Sequence, residues 1–238
     1  MNVRVSTVEQ PSATDVAIII PCLNEADGIV DAIQSAKATG AGEVIIVDGG
    51  SQDQTVARAE PHATVIQADR PGRAFQQNLG ARQTQGSVLL FLHADCRLPK
   101  NAIRQIQDAL QDEQVIAGGF RQQIDSAGFR FRLLESGNAF RARRLGWIYG
   151  DQALFVRRSV FEQLSGFPDL RFMEDLYLSK RLKRAGRLAL LDGPLQVSAR
   201  RWHNRGVLRQ TIRNWSLIAA ASMGYSPDHL AKFYPNER

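Results

Sequence analysis

The apolar positions fall into short continuous runs separated by polar turns and by segments of helical period. Val16 to Ile20 is closed by Pro21, and Val88 to Leu92 ends abruptly at His93, Ala94 and Asp95. Unbroken runs of this kind predict strands buried on both faces, the habit of a parallel sheet covered by helices. Val44 to Val47 and Thr64 to Ile66 read as two further strands. Between them lie helical patterns. One carries Ile29, Ile33 and Ala36 on a single face; another follows Gly72, turns Phe75 and Leu79 inward and runs to Gly86. Strand and helix alternate with short connections, which predicts an α/β fold with a mostly parallel central sheet and helices on both faces.

The later chain is read more coarsely. Ala153 to Val156 forms a strand, and Leu178, Leu182 and Ala185 mark one helix face. Phe120 to Arg144 interleaves Phe129, Phe131, Leu133 and Phe140 with arginines, predicting a charged helix with one buried face or a wall that admits an anionic acceptor. Arg205 to Tyr225 reads as a helix with arginines 205, 209 and 213 on one stripe; core packing, a dimer contact and a membrane surface compete for its apolar face.

Composition sets the frame. A chain of 238 residues, 44% hydrophobic, suits one domain over residues 1–238. Within it, 1–120 is expected to bind a nucleotide, 121–204 to supply acceptor and catalytic groups, and 205–238 to close the chain as a helical segment. Cys22 and Cys96 offer no disulfide framework, and no signal-peptide core or membrane span is evident, so a cytoplasmic protein is expected. Charge is uneven: residues 1–120 carry a net −5 and residues 121–238 a net +11, giving +6 overall. Of 30 cations 25 are Arg, whose planar guanidinium suits phosphate, whether on a small molecule or an anionic membrane. Nucleic acid is disfavoured, because no zinc-finger spacing, helix-turn-helix or aromatic ribonucleoprotein motif is present.

Acids recur at strand ends. Asn24-Glu25, Asp48, Asp69 and Asp95 each follow a strand, and a parallel sheet collects such positions along its carboxyl edge, where open α/β sheets bind ligands. Taken singly, Asp53 and Asp69 are explained as turn or cap residues, and Glu25 and Asp48 are open to either reading. Asp95 favours ligand or metal duty, since Leu98 to Asn101 already supplies the next helix with its start. Neither GxGxxG nor GxxxxGK[ST] occurs, so a dinucleotide site of Rossmann type and a P-loop are disfavoured.

Four ordered motifs carry a family resemblance. Pro21 with Asn24-Glu25, Asp48 with Ser51 and Asp53, Gly72-Arg73-Ala74 with Gln77-Asn78 and Gly80-Ala81, and His93-Ala94-Asp95 resemble a family 2 glycosyltransferase of GT-A fold. The likeness continues through Gly150-Asp151-Gln152, Glu174-Asp175 and Arg200-Arg201-Trp202. The Gly72 to Ala81 segment and Met223 to Leu230 also resemble a subgroup of arsenosugar-biosynthesis and radical-SAM/selenodomain-associated transferases.

The resemblance implies inverting transfer from a nucleoside-diphosphate sugar to an acceptor hydroxyl, phosphorylated or lipid-linked acceptors included, with Mn²⁺ or Mg²⁺ at Asp95. His203 is a second metal candidate, though an exposed or core histidine explains it equally well. Family Asp-x-Asp is here His93-Ala94-Asp95. Pro21, Asn24, Glu25 and Asp48 would line the base and ribose pocket, and Arg73 would face the diphosphate. Asp175 is the expected base, with Glu174 holding the acceptor or a cation; helix-dipole complementarity alone also accounts for acids there. Asp151 is a candidate for an acceptor hydroxyl, Trp202 for stacking, and Arg200 or Arg201 for diphosphate. A peripheral contact with the inner membrane face and a homodimer complete the expected partners. A sugar-phosphate nucleotidyltransferase and a non-catalytic sugar-nucleotide or membrane-surface binding module are the alternatives.

Overall fold

The structure, a computed structural model, describes residues 15–200 together with 202, 206, 213, 216, 217, 220, 225 and 230. Strand β1 (Val16–Cys22) is buried at every position and is followed by α1 (Ile29–Lys37), β2 (Glu43–Asp48), α2 (Thr55–Ala59) and β3 (Thr64–Gln67). Then come α3 (Arg73–Arg82), β4 (Val88–Phe91), β5 (Cys96–Arg97), α4 (Ala102–Leu110), β6 (Val115–Ile124) and α5 (Phe129–Leu145). A 3-10 turn at Gly150–Gln152 leads to β7 (Phe155–Arg157), α6 (Arg158–Gln163), α7 (Glu174–Ala185) and β8 (Arg187–Val197).

All eight strands share one sheet in the order β3-β2-β1-β4-β7-β6-β8-β5. β1 pairs in parallel with β2 and β4, β2 with β3, and β6 with β8, while β7 and β5 run antiparallel to their neighbours. The mostly parallel α/β sheet is thus as expected. Alternation along β1 explains the two-sided core. Ile18 and Ile20 pack with Ile29 and Ile33 of α1 and with Ile103 and Ile106 of α4. Ala17 and Ile19 face the other way, with Ala74 and Ala81 of α3, Phe161 of α6 and Leu178 of α7. Residue 120 lies inside β6, so the two halves of the chain share one sheet.

Three local readings are corrected. Helix α3 ends at Arg82, and its buried face is Ala74, Gln76, Gln77, Gly80 and Ala81, with Phe75 and Leu79 only half-buried. Small residues face the sheet because the helix lies close to it: a Cβ on Gly80 would stand 2.4 Å from Ile19 Cγ2 and 3.1 Å from Val47 Cγ2. Phe75 instead lies under the Arg70 guanidinium, 4.6 Å from its ring centre. The Phe120 to Arg144 segment is not one helix; β6 runs to Ile124 before α5 starts, and α5 buries Phe131 and Arg141 while Phe129, Leu133 and Phe140 stay exposed. The late strand begins at Phe155, because Ala153 has a left-handed backbone, φ 48°. The expected helix from Arg205 to Tyr225 lies largely outside the described residues.

Gly80→Ala sets helix propensity against sterics. Alanine favours a helix by about 1 kcal/mol, but overpacking a core costs about 1–3 kcal/mol. With Ile19 this close the clash prevails, so urea unfolding should show the variant less stable than wild type by about 1–2 kcal/mol.

Candidate active site

Parallel pairing brings the ends of β1, β2 and β4 to one edge. Cys22 stands beside Asp48 and Ile19 beside Phe91, so the loops carrying Glu25, Asp48 and Asp95 leave the sheet together. These loops are knitted by their own polar groups. Asn24 N–H donates to Ser51 Oγ at 2.8 Å, and Asn24 Oδ1 accepts from Gln52 N–H at 2.8 Å. Glu25 N–H donates to Thr55 Oγ1 at 2.7 Å. Asp53 Oδ1 accepts from Thr55 N–H at 2.9 Å, an Asx turn just ahead of α2, whose capping position is Gln54 and not Asp53.

The Asp48 carboxylate accepts from the N–H groups of Gly50 and Ser51, both at 2.9 Å, and from the Ser51 hydroxyl, and it is 1% exposed. It shapes the loop from within, an Asp turn in which both carboxylate oxygens are engaged. Pro21, in register with Val47, is buried in β1.

Beyond the strand ends lies a cavity of about 170 Å³ lined by Glu25, Asp27, Asp95, Asp125, Arg97 and Arg200, among others. The Arg200 guanidinium donates to Glu25 Oε2 at 2.7 Å, and this hydrogen bond, opposed by burial and helped by the charges of Glu25, Asp95 and Asp27, raises its pKa further. Asp95 is half-buried; its backbone carbonyl accepts from Ser198 N–H at 3.1 Å, tying the end of β4 to the end of β8. Among the described residues no three His, Cys, Asp or Glu side chains form a ready-made metal centre.

A second cluster gathers at the start of α7. Arg73, first residue of α3, donates to Glu174 Oε1 at 3.2 Å, with Glu174 almost fully buried. Arg73 keeps 28% of its side chain exposed beside this pairing. Asp175 accepts from Gly150 N–H and from Leu176 N–H, each at 2.7 Å. Burial pushes its carboxyl pKa above the ordinary carboxylate value, Glu174 adds to the rise, and Arg73 with the two N–H groups oppose it. The turn at Gly150 is forced close: a Cβ there would lie 2.3 Å from His93 Nε2 and 3.4 Å from Asp175 Oδ2. Met173, just before the acids, has φ 63°, a left-handed backbone uncommon for a residue of its size.

The two clusters adjoin through the end of β4. His93 lies against Gly150 beside Asp175, and Asp95, two residues on, lines the pocket with Glu25. Tyr149, which the sequence reading did not single out, completes the acid cluster together with Arg141 and Gln152. Tyr149 carries the Arg141 guanidinium over its ring at 3.7 Å, and Arg141 donates to Gln152 Oε1 at 2.8 Å. Burial pushes the Tyr149 hydroxyl up to about 12; Arg141 opposes this, and Asp175 and Asp151 add to it. The phenol stays protonated at neutral pH. No periodicity marks these residues, since their partners lie on separate elements.

The late basic motif is only partly visible. Arg201 and His203 lie outside the described residues. Trp202 is 8% exposed and packs edge-on to Phe131 of α5, ring centres 6.5 Å apart. Burial of an indole against a phenyl ring accounts for it without a ligand.

Residues 17–164 match the family described as Glycosyl transferase family 2. "Glycosyltransferase AglE" of Haloferax volcanii is 26% identical over 191 residues, spanning 72% of this chain and 62% of that protein. Among solved structures, S. aureus TarS 1-349 in complex with UDP superposes with a TM-score of 0.63 at 16% identity, covering 77% of this chain and 60% of that one. Glucosyl-3-phosphoglycerate synthase from Mycobacterium tuberculosis in complex with phosphoglyceric acid gives 0.52 at 20% identity, covering 77% and 70%. The structural matches show a shared fold, and the chain spans between about half and three-fifths of the length of the curated relatives it matches.

The raised Asp175 pKa has a definite sign in stability. Above the ordinary value of 3.8 the folded chain holds this proton more tightly than the unfolded chain does, so its contribution is fully present below 3.8 and is lost as pH rises through the folded pKa. In urea unfolding at stepped pH, the stability of wild type relative to Asp175→Asn should therefore fall as pH rises across that window. A flat or opposite slope would contradict the burial of the charge.

Proposed function

The chain belongs to glycosyl transferase family 2, and from that premise we propose that it transfers a sugar from a uridine-diphosphate donor to an acceptor hydroxyl with inversion at the anomeric carbon. Support for uridine comes from the fold shared with a UDP-bound protein. A phosphorylated or lipid-linked acceptor suits the cationic second half, and the fold is shared with a synthase bound to phosphoglyceric acid. The narrower kinship with arsenosugar-biosynthesis and radical-SAM-associated transferases rests on the Gly72 to Ala81 segment and on 223–230, most of which lies outside the described residues.

The observation that carries the reading is the Asp175 carboxylate, fixed by two N–H groups and raised in pKa beside the Gly150 turn. Asp175 takes the acceptor hydroxyl proton as that oxygen bonds to the anomeric carbon and the bond from carbon to the diphosphate oxygen breaks, the electron pair leaving with the diphosphate. A base with a raised pKa draws that proton more strongly than an ordinary carboxylate. Glu174 would lower the ionised fraction of Asp175 if its own charge stood alone; Arg73 offsets it at 3.2 Å. Asp151 and the protonated Tyr149 border the acceptor side.

Glu25, Asp95 and Arg200 face the donor. Asp95 would hold Mn²⁺ or Mg²⁺, which when bound neutralises charge on the leaving diphosphate. The donor set fits: hard divalent ions that act on phosphates are commonly held by one or two carboxylates with phosphate oxygens and water completing the shell, and the cavity presents Asp95 with Glu25, Asp27 and Asp125 nearby. His93 belongs to the Asp175 side, and His203 lies outside the described residues.

Purified chain with Mn²⁺ should release UDP slowly from one UDP-sugar. Asp175→Asn should reduce transfer by at least about 100-fold while leaving UDP affinity unchanged. Turnover equal to wild type, or loss of UDP binding in parallel, would remove Asp175 from the base's role. The pH profile gives a second test. The acid limb of kcat/KM should lie above 3.8, because burial raises Asp175, and Glu174→Gln should move that limb to lower pH by removing the adjacent negative charge.

A further inference from the structure

Helix α5 breaks the ordinary rule for a surface helix. Its exposed face carries large apolar side chains among the arginines. Phe129, Leu133 and Phe140 are 79%, 62% and 64% exposed, and with Leu145 they make up four of the five large hydrophobic residues exposed among the described residues. Single exposed apolar side chains are normal; Phe129, Leu133 and Phe140 together form a patch, while Leu145 lies round the helix from them. At 100° per residue Phe129, Leu133 and Phe140 lie within one narrow line along the outer pole, and exposed arginines stand on both sides of it, Arg143 on one, Arg130 and Arg144 on the other. The only acid of the helix, Glu135, is turned aside, paired with Arg132 and bonded to Ile124 N–H.

We propose that α5 docks this chain on an anionic phospholipid bilayer, with Phe129, Leu133 and Phe140 entering the boundary between headgroups and acyl chains and Arg130, Arg143 and Arg144 meeting lipid phosphates. Charge decides the occupant. An apolar line flanked by guanidinium groups matches the layering of an anionic interface; the exposed acid beside it, Asp192, is 3.8 Å from Arg143 and 3.9 Å from Arg121, so the local charge stays positive. A two-fold contact with a second copy would set the same arginines against each other. Among the described residues no helix is long and apolar enough to cross a membrane, so the contact is with the surface.

The inner face of α5 gives the docking a direction. Arg141 reaches Gln152 at 2.8 Å and Asn138 reaches Gln122 at 2.7 Å, so the helix is joined to the turn that carries Asp151. A bilayer under α5 lies on the acceptor side of the molecule. The docking itself does not depend on the transfer chemistry and is read without turnover.

Cosedimentation of the full chain with vesicles tests it. Binding is expected to vesicles of equal parts phosphatidylcholine and phosphatidylglycerol, absent with phosphatidylcholine alone, and weakened by salt. Replacing Phe129, Leu133 and Phe140 together by Ser should lower partitioning by at least about tenfold, as three apolar groups leave the bilayer. Changing Arg130, Arg143 and Arg144 to Gln should weaken it and flatten the salt response. No binding of wild type to the anionic vesicles overturns the proposal. So does a triple Ser variant that binds like wild type, or self-association of wild type in sedimentation velocity that the triple Ser variant loses. UDP release by the same preparations reports on Asp175 and the donor site separately, so either reading can fail without the other.

Discussion

Everything at the site depends on the fixed parallel register of β1 between β2 and β4. Because Cys22 is held beside Asp48 and Ile19 beside Phe91, three loops must turn at the same edge. The register is enforced by burial on both faces, with alternate β1 residues committed to opposite layers of the core. A shift by one residue would exchange those layers, moving Ile18 and Ile20 out of reach of α1 and α4. Asp48 then closes its own turn, and the Asn24 and Glu25 backbone groups fasten to Ser51 and Thr55.

Helix α3 transmits this order to the acids. Its Gln76 donates to the carbonyls of Cys22 and Val47, at 2.8 and 2.7 Å, where β1 and β2 end. Its Asn78 exchanges two hydrogen bonds with the backbone of Phe167, and its Arg73 reaches Glu174. One helix thereby fastens the nucleotide-side strands to the segment leading into α7. Close contact through Gly80 makes this possible, since a larger residue would lift the helix from the sheet. The polar residues of the Gly72 to Ala81 segment work chiefly as fasteners.

Electrostatic tension is concentrated at the start of α7, where two carboxylates are adjacent, that of Glu174 buried and that of Asp175 in a half-buried residue. The helix amino terminus, Arg73 and two backbone donors offset part of the cost. What is left shows as the raised Asp175 pKa. Asp95, also half-buried, lines the cavity with Arg200 and Arg97 nearby. The two acids thus acquire different environments, one crowded by a second carboxylate, one flanked by guanidinium groups.

The sequence by itself determined the strands β1, β2 and β4, the helix between each pair and the edge at which Glu25, Asp48 and Asp95 emerge. Those features are local: a run of apolar residues has to be buried, and a polar residue at its end has to leave. The sequence also supplied the acid pair at 174–175, placed at a helix start. Tertiary structure alone decided which carboxylates stay available, because the bonds that occupy Asp48 and Glu174 come from an Asx turn and from an arginine 101 residues away. It decided likewise that Trp202 packs on Phe131, that Arg141 is buried over Tyr149, and that the phenylalanines of α5 face outward. Residue type fixes what a side chain prefers, but only the packing of separate elements fixes which neighbour it meets.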